Sequence, residues 1–391
     1  MNYVNITAST RMEIFSPAIF GELNEKATIK QKEGTPIVDL SLGSPDLPPA
    51  KIIRDTLAKS SAKEDMYGYT LGGTQRFHQA VANYYKRTMN VEIDAETEVL
   101  QTMGSQEGLV HLPLAFCNEG DMVLTTDTAY IAYDTGIKLA NATPYYMPLH
   151  AENDFLPDLD AVPEDIAQKT SLLILNFPGN PVPATPSQAF FEKVVAFAKK
   201  YDILVLHDAA YSEYYFTDEQ PASFLSTPGA IDVGLEINSL SKSFSLAGAR
   251  VAYLVGNKQA IRIMTTLKSN LDYGIFAPIQ EAAIVALDNS EEITNHLRNV
   301  FAKRHRILKE GLLQLGWEVA PSVGGMFIWA KYPYDIPDKD FAFEVIRQVG
   351  VVMVPGSIFG DNGAGYVRLA LVQDVDNLQL AINRFGKIAI T

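Results

Sequence analysis

The chain has 391 residues, 47% of them hydrophobic and 20% charged, which is long enough for a large globular domain and a smaller one. Its net charge of −14 comes with no basic run, which excludes nucleic-acid and anionic-membrane surfaces because both require clustered lysine and arginine. Cys117 is the only cysteine, so an internal disulfide and a multi-cysteine metal centre are excluded, and no metal site is predicted.

The first part of the chain, residues 1–20, lacks the charged and continuous apolar regions of a signal peptide. No stretch reaches the roughly 20 apolar residues that are needed to span a bilayer. We therefore expect a cytoplasmic protein that acts on small molecules, with Cys117 as a buried and inert thiol in an apolar stretch.

Residues 1–45 are predicted to form an N-terminal arm that packs with the C-terminal part of the chain. The arm is separated by the Pro- and Gly-rich stretch 42–49 from a large domain predicted over residues 46–287. In this domain, short apolar runs bounded by turn or polar residues predict buried strands at Met122–Thr125, Leu172–Asn176, Ile203–His207, Ile237–Leu240 and Val251–Gly256. Apolar residues spaced by three and four predict helices at Gln106–Phe116, Ala132–Leu139 and Pro186–Lys200. This alternation predicts an α/β domain with a mostly parallel sheet flanked by helices.

The pattern changes after about residue 287. A long amphipathic helix is predicted at Glu291–Leu315, followed by short strands at Met326–Ala330 and Tyr366–Leu371. These elements predict a smaller α/β C-terminal domain over residues 288–391.

Two candidate sites come early in the large domain. The segment Met103–Gln106 runs into a predicted helix, so its backbone amides could bind an anion, and a helix cap without a ligand is the alternative. Tyr130 could stack on a planar ring, or could belong to the core.

Polar residues follow the next two strands. The turn that carries Asn180 is held rigid by prolines and presents an amide, although plain turn chemistry gives the same pattern. Asp208 stands at the carboxyl end of a strand, where α/β sheets bind ligands. A carboxylate there could keep a pyridine nitrogen protonated, and a helix cap is the alternative. Tyr211 and Asn180 could donate hydrogen bonds to a phenolic oxygen of the same ring.

The segment Ser239–Arg250 places Lys242 directly after an apolar strand, in a loop rich in hydroxyl groups. Pyridoxal phosphate (PLP) chemistry requires such a lysine, because a partly desolvated amine in a cationic setting is nucleophilic near neutral pH. Ser239 and Arg250 could bind a phosphate. The alternative is a solvated lysine in a serine-rich loop.

Arg368 stands in the middle of an apolar strand, where an unpaired charge is costly. It therefore requires a bound anion or an internal salt bridge.

The order and spacing of these segments resemble the fold-type-I, class I and II aminotransferases over nearly the full length of the chain. Within them, the sequence is similar to the bacterial LL-diaminopimelate aminotransferases. The segments that carry this likeness are Gly104–Phe116, Phe155–Asp160, His207–Tyr211 and Lys268–Asp272.

This resemblance implies a PLP-dependent transferase fold, with Lys242 as the Schiff-base lysine and Asp208 as the partner of the pyridine nitrogen. Tyr211 and Asn180 are then the partners of the ring oxygen, and Tyr130 stacks on the ring. Lys242, Asp208 and Tyr211 are the implied catalytic residues.

The resemblance also implies a phosphate site and a substrate site. The implied phosphate-binding residues are Gly104, Ser105, Gln106, Ser239 and Arg250. Arg368 would clamp the substrate α-carboxylate together with the Gly43 backbone and Asn180.

Members of this family are homodimers in which a tyrosine of each chain completes the partner's active site. The segment 67–73 supplies two candidates, Tyr69 and Tyr67, and the resemblance does not choose firmly between them. The chain departs from its relatives at positions 182–183 (Val-Pro), at Ala249 and at Tyr273, which lie near the cofactor and the substrate rim.

The expected function is transamination from an amino acid to a 2-oxo acid such as 2-oxoglutarate. No second arginine in a recognisable motif offers itself for a distal carboxylate, so we expect LL-diaminopimelate or a neutral or aromatic donor. Other PLP reactions, such as carbon–sulfur cleavage or decarboxylation, and a ligand-sensing role are the alternatives, because fold and cofactor do not determine the reaction.

Overall fold

The computed structural model describes residues 4, 6–15, 19–218 and 220–390. Positions 1–3, 5 and 16–18 of the predicted arm, position 219 of the large domain and position 391 lie outside the described residues. The helices are α1 Ile19–Lys32, α2 Lys51–Ser61, α3 Gln75–Met89, α4 Ser105–Phe116, α5 Ala132–Leu139, α6 Glu164–Ala167, α7 Gln188–Tyr201, α8 Ala230–Val233, α9 Leu240–Ser243, α10 Lys258–Leu271, α11 Ala277–Asp288, α12 Ser290–Gln314, α13 Asp338–Val349 and α14 Val375–Phe385. Within the described ranges, no helix is long and apolar enough to cross a membrane.

The strands are β1 Val38–Asp39, β2 Val99–Thr102, β3 Met122–Asp127, β4 Thr143–Pro148, β5 Thr170–Asn176, β6 Leu204–Asp208, β7 Gly234–Ser239, β8 Ala252–Gly256, β9 Glu318–Val319, β10 Phe327–Lys331, β11 Val351–Val352, β12 Val354–Pro355 and β13 Tyr366–Ala370. Seven of them form the central sheet in the order β2-β8-β7-β6-β5-β3-β4. Strand β8 runs antiparallel to both of its neighbours, β2 and β7, and the other neighbouring strands of this sheet pair in parallel. The predicted α/β fold with a mostly parallel sheet is therefore confirmed.

Helices cover both faces of this sheet. Along β5, Leu173 and Leu175 belong to one apolar cluster, whereas Leu172 and Ile174 belong to another. Alternate residues of a strand point to opposite faces, so a strand that is buried on both sides reads as a continuous apolar run. This burial is the reason that the sequence revealed the strands clearly.

The predicted element boundaries differ from the structure by a few residues. The helix predicted from Pro186 begins at Gln188, because the side chain of Ser187 caps it by accepting a hydrogen bond from the Phe190 amide. The strand predicted to end at Leu240 ends at Ser239, whose hydroxyl caps the short helix α9.

The C-terminal part contains a four-stranded antiparallel sheet in the order β12-β13-β10-β9. Strand β1 pairs in parallel with β11, and α1 buries Leu23 in a cluster with Ile346 and Val352. These contacts join the N-terminal arm to the C-terminal part of the chain. The division at residues 45 and 287 stays a prediction that this packing supports.

Candidate active site

Neighbouring strands of the central sheet end in polar residues at one edge. Asn176, Asp208 and Ser239 are the last residues of β5, β6 and β7. Asn176 and Asp208 are register partners, and the Asn176 amide donates a 2.7 Å hydrogen bond to the Asp208 carbonyl oxygen. Parallel strands bring these residues together because their carboxyl ends meet at the same edge.

A cavity of about 360 Å³ opens at this edge. Its volume lies within the range of about 300–1,000 Å³ that is usual for ligand sites. Eleven of the predicted site residues line it: Gly43, Ser105, Gln106, Tyr130, Asn180, Asp208, Tyr211, Ser239, Lys242, Arg250 and Arg368. Gly104, Tyr67 and Tyr69 do not belong to this lining.

Lys242 presents its amine to this cavity from α9. Its Nζ donates a hydrogen bond to the Gly43 carbonyl oxygen. Burial, and then the positive charges of Arg368 and Arg250, lower the pKa of Lys242 from 10.5 to about 8, whereas Asp208 acts in the opposite direction. The amine can therefore lose its proton near neutral pH, as a nucleophile must. The partly buried site does not match the alternative of a solvated lysine.

Asp208 is a buried carboxylate, with 4% of its surface exposed. The Tyr133 hydroxyl donates to its Oδ2 at 2.9 Å, and the Ala210 amide donates to its Oδ1 at 3.2 Å. Burial raises the pKa of Asp208, against the effect of these two hydrogen bonds and of the electrostatic influence of His207 and Lys242. Within the described residues this carboxylate makes no ion pair, so it is suited to a cationic or N–H group of a ligand in the cavity.

Arg368 is 3% exposed and reaches the cavity from β13. Its guanidinium donates to Asn180 Oδ1 at 2.7 Å and to the Ser41 carbonyl oxygen, while its buried Nε has no partner among the described residues. Burial lowers the pKa of Arg368 from 12.5 to about 10. Within the described part of the chain, its hydrogen-bond partners are an amide and a carbonyl oxygen rather than a carboxylate. Of the two alternatives predicted for Arg368, the internal salt bridge is therefore not found among the described residues, and a bound anion is favoured.

The ring-oxygen pair predicted from the sequence also comes together. Asn180 and Tyr211 both line the cavity, and burial raises the pKa of Tyr211 well above its ordinary value. Tyr211 therefore stays a hydrogen-bond donor at neutral pH.

A helix N-terminus and a guanidinium meet at another wall of the cavity. Gly104 caps α4 with a φ of +72°, and a Cβ at this position would collide with the Arg250 guanidinium. Arg250 donates to the Ala247 carbonyl oxygen at 3.0 Å, and the Tyr130 hydroxyl lies 3.5 Å from Gln106 Oε1. Free amides at the start of α4 and the Arg250 charge are a suitable pair for a phosphate.

Sequence reasoning missed Tyr133, which orients the Asp208 carboxylate. A buried tyrosine hydroxyl requires a partner, but nothing in the sequence indicates that this partner lies 75 residues away.

Cys117 is half-buried rather than buried, and burial raises the pKa of its thiol to about 12. The thiol therefore stays protonated and unreactive. Among the described residues, no cluster of acidic, histidine or cysteine side chains could hold a metal ion.

These groups fit PLP. Lys242 supplies an amine with a lowered pKa, Asp208 a buried carboxylate that makes no ion pair with any described residue, and Arg250 a guanidinium that fills the space beside Gly104. The buried Nε of Arg368 adds an unused donor for an anion.

Comparison with known proteins shows the family to which the chain belongs. Residues 35–385 match the family described as aminotransferase class I and II. The chain is 39% identical to LL-diaminopimelate aminotransferase from Aquifex aeolicus (98% of this chain, 99% of that protein) and 38% identical to the enzyme of that name from Syntrophobacter fumaroxidans (97% and 98%). A substrate-bound structure of BacF from Bacillus subtilis superposes with a TM-score of 0.94 at 34% identity and covers 98% of both chains. The chain therefore belongs to the class I and II aminotransferases and is a PLP-dependent enzyme of that family.

Proposed function

We propose that this aminotransferase takes the amino group from an amino acid with an uncharged or zwitterionic far end and transfers it to a 2-oxo acid such as 2-oxoglutarate. The observation that carries the proposal is the meeting of Lys242, Asp208 and Arg368 in one cavity. Two half-reactions at the same site exchange the amino group between donor and acceptor.

Lys242 would hold the cofactor through its amine, and its Nζ would serve as the base that removes the proton from the substrate Cα. Bound PLP supplies an aldehyde that takes up the amino group and a protonated ring that withdraws electrons from the bond being broken. Asp208 keeps the ring nitrogen protonated, and Tyr133 orients this carboxylate. Lysine acts as both base and acid because it stays in place after its release.

The remaining polar groups of the cavity bind and orient. The phosphate would be held by Gly104, Ser105, Gln106, Ser239 and Arg250, and Tyr130 would stack on the ring. Tyr211 and Asn180 would donate to the ring oxygen, and Asn180 Oδ1 also accepts a hydrogen bond from Arg368.

Arg368 binds the substrate α-carboxylate, with Gly43 and Asn180 beside it. This role is supported by the Nε of Arg368, which has no partner in the described part of the chain although the side chain is almost fully buried. A carboxylate bound there offsets the cost of burying the guanidinium.

The class of amino donor is inferred from the cationic side chains that line the cavity. Among the described residues that line the cavity, the cationic side chains are Lys242, Arg250 and Arg368, and all three already have a role. The lining also includes the apolar residues Phe20 and Leu42. A bare distal carboxylate would be left unpaired there, which is unfavourable in a closed site. Neutral and aromatic amino acids carry no unpaired carboxylate at the far end. LL-diaminopimelate, which appears in the names of the relatives, has a far end in which an amino group accompanies the carboxylate.

The test is kcat/KM for LL-diaminopimelate, methionine, phenylalanine, alanine and aspartate, each with 2-oxoglutarate as the acceptor. We expect LL-diaminopimelate or a neutral or aromatic donor to lead the series. A lead for aspartate of about tenfold, or about 1.4 kcal/mol in transition-state free energy, would contradict the donor class.

Borohydride treatment of the PLP-loaded protein should attach the cofactor to the peptide that contains Lys242, and a label on another lysine would contradict its role.

We also propose a homodimer in the cytoplasm, with an active site shared between the two chains. Exposed aromatic residues pair on the surface, with ring centroids 5.1 Å apart for Tyr69 and Tyr273 and 5.2 Å apart for Tyr67 and Phe276. Such a patch on a protein surface is typical of an interface. Tyr67 donates to the Ser61 carbonyl oxygen, whereas Tyr69 is 84% exposed, which favours Tyr69 as the residue that reaches the partner's site.

A further inference from the structure

A cluster of ionic side chains around one buried lysine lies behind the N-terminus of α4. Lys268, on α10, is 3% exposed, and its Nζ lies 3.0 and 3.1 Å from the two carboxylate oxygens of Glu107. The same Nζ lies 2.8 and 2.9 Å from the oxygens of Asp272. One lysine therefore contacts four carboxylate oxygens.

The position of Glu107 makes this contact important for the cavity. Glu107 lies in the first turn of α4, directly after Ser105 and Gln106, and its carboxylate accepts a hydrogen bond from the Met103 amide. The glutamate thus holds the entry to the helix in the way that a capping residue does. It also brings a negative charge to the end of the helix that we propose binds a phosphate dianion.

Lys268 allows Glu107 to cap the helix without leaving its negative charge uncompensated beside the proposed phosphate site. A cation on both oxygens of Glu107 offsets its charge, while the carboxylate still accepts from the Met103 amide. Asp272 holds the lysine from the other side and accepts a hydrogen bond from the Gly274 amide at 2.7 Å. The lysine is consequently restrained by two carboxylates in a buried site, where ionic interactions are weakly screened.

We propose that Lys268 is a positioning residue for the cofactor phosphate: it neutralises and fixes Glu107, so that the N-terminus of α4 remains able to bind an anion. This inference rests on the proposed function, in which Ser105 and Gln106 hold the phosphate. Lys268 itself does not line the cavity and acts through Glu107.

The test compares two ligands that differ in the phosphate alone, PLP and pyridoxal. In Lys268→Met the Kd of PLP should rise by about tenfold or more, while the Kd of pyridoxal changes by less than about threefold. In the double variant Lys268→Met with Glu107→Gln, PLP affinity should largely return, because glutamine still accepts from the Met103 amide without a negative charge. Lys199→Met is the matched control, since it removes an exposed lysine 3.1 Å from Asp232 on another part of the surface.

Equal weakening of both ligands, an unchanged Kd for PLP, or no recovery in the double variant would overturn the proposal, because a merely structural role predicts those results. If Lys268→Met does not fold, Lys268→Gln carries the same test, as glutamine can donate to both carboxylates without a charge. A wild-type protein that binds PLP no better than pyridoxal would contradict the proposed phosphate site itself, which is a different outcome.

Discussion

At the scale of single residues, the reaction depends on the Lys242 amine losing its proton near neutral pH. Because the pKa of Lys242 is about 8, the amine is charged and unreactive at lower pH, and the free amine predominates at higher pH. In the protein without cofactor, we expect the rate at which an amine-reactive reagent modifies Lys242 to rise through pH about 8. Arg368→Met should move this midpoint upward, because the Arg368 charge is the largest contribution after burial. A wild-type midpoint near 10.5, the ordinary value for a lysine, would contradict the lowered pKa.

The second residue-scale prediction concerns Asp208. In Asp208→Asn, PLP should still bind through the phosphate end of the cavity, but kcat should fall about a thousandfold because the ring nitrogen loses the partner that keeps it protonated. The measurements are kcat and the Kd of PLP, with Asp232→Asn as the control for an exposed aspartate. A kcat close to that of the wild type would remove Asp208 from this role.

At the scale of elements, the junction between β2 and α4 depends on a glycine. Gly104 has a φ of +72° and leaves the space that the Arg250 guanidinium fills, whereas Gly120 has a φ of +86° and no atom near its would-be Cβ. Alanine at either position should lower the free energy of unfolding by about 1–2 kcal/mol through backbone strain.

Only Gly104→Ala should also weaken PLP binding, since Arg250 must move to make room for the new methyl group. Titration of both variants with PLP, beside thermal unfolding, separates the two effects. Equal PLP affinities in Gly104→Ala and Gly120→Ala would show that this junction does not shape the phosphate site.

At the scale of the whole molecule, a shared active site can be tested by mixing inactive chains. Lys242→Ala and Tyr69→Phe each damage both sites of a homodimer, but a mixed dimer regains one site that has both native groups. After denaturation and refolding of an equal mixture, we expect about a quarter of the wild-type activity. Recovery with Tyr67→Phe instead would assign the role to Tyr67, and recovery with neither would contradict a shared site.

The sequence by itself determined the fold class, the family and the cofactor. Buried parallel strands read as apolar runs, and the polar residues that follow them, such as Asp208 and Lys242, stand where such strands open on a ligand. Local chemistry also marked Gly104 and the turn at Asn180, because glycine permits and proline restricts particular backbone conformations within a few residues. At the cap residues Ser187 and Ser239, the observed ends of the elements differ from the predicted ends by one or two residues.

Only the tertiary structure decided which groups meet across the chain. Tyr133 donates to Asp208 across 75 residues, and Lys268 contacts Glu107 across 161. Arg368 lacks a carboxylate partner within the described residues, and the lowered pKa of Lys242 depends on burial and on two distant arginines. Desolvation and charge interactions are set by distance in space, which the order of residues along the chain does not specify.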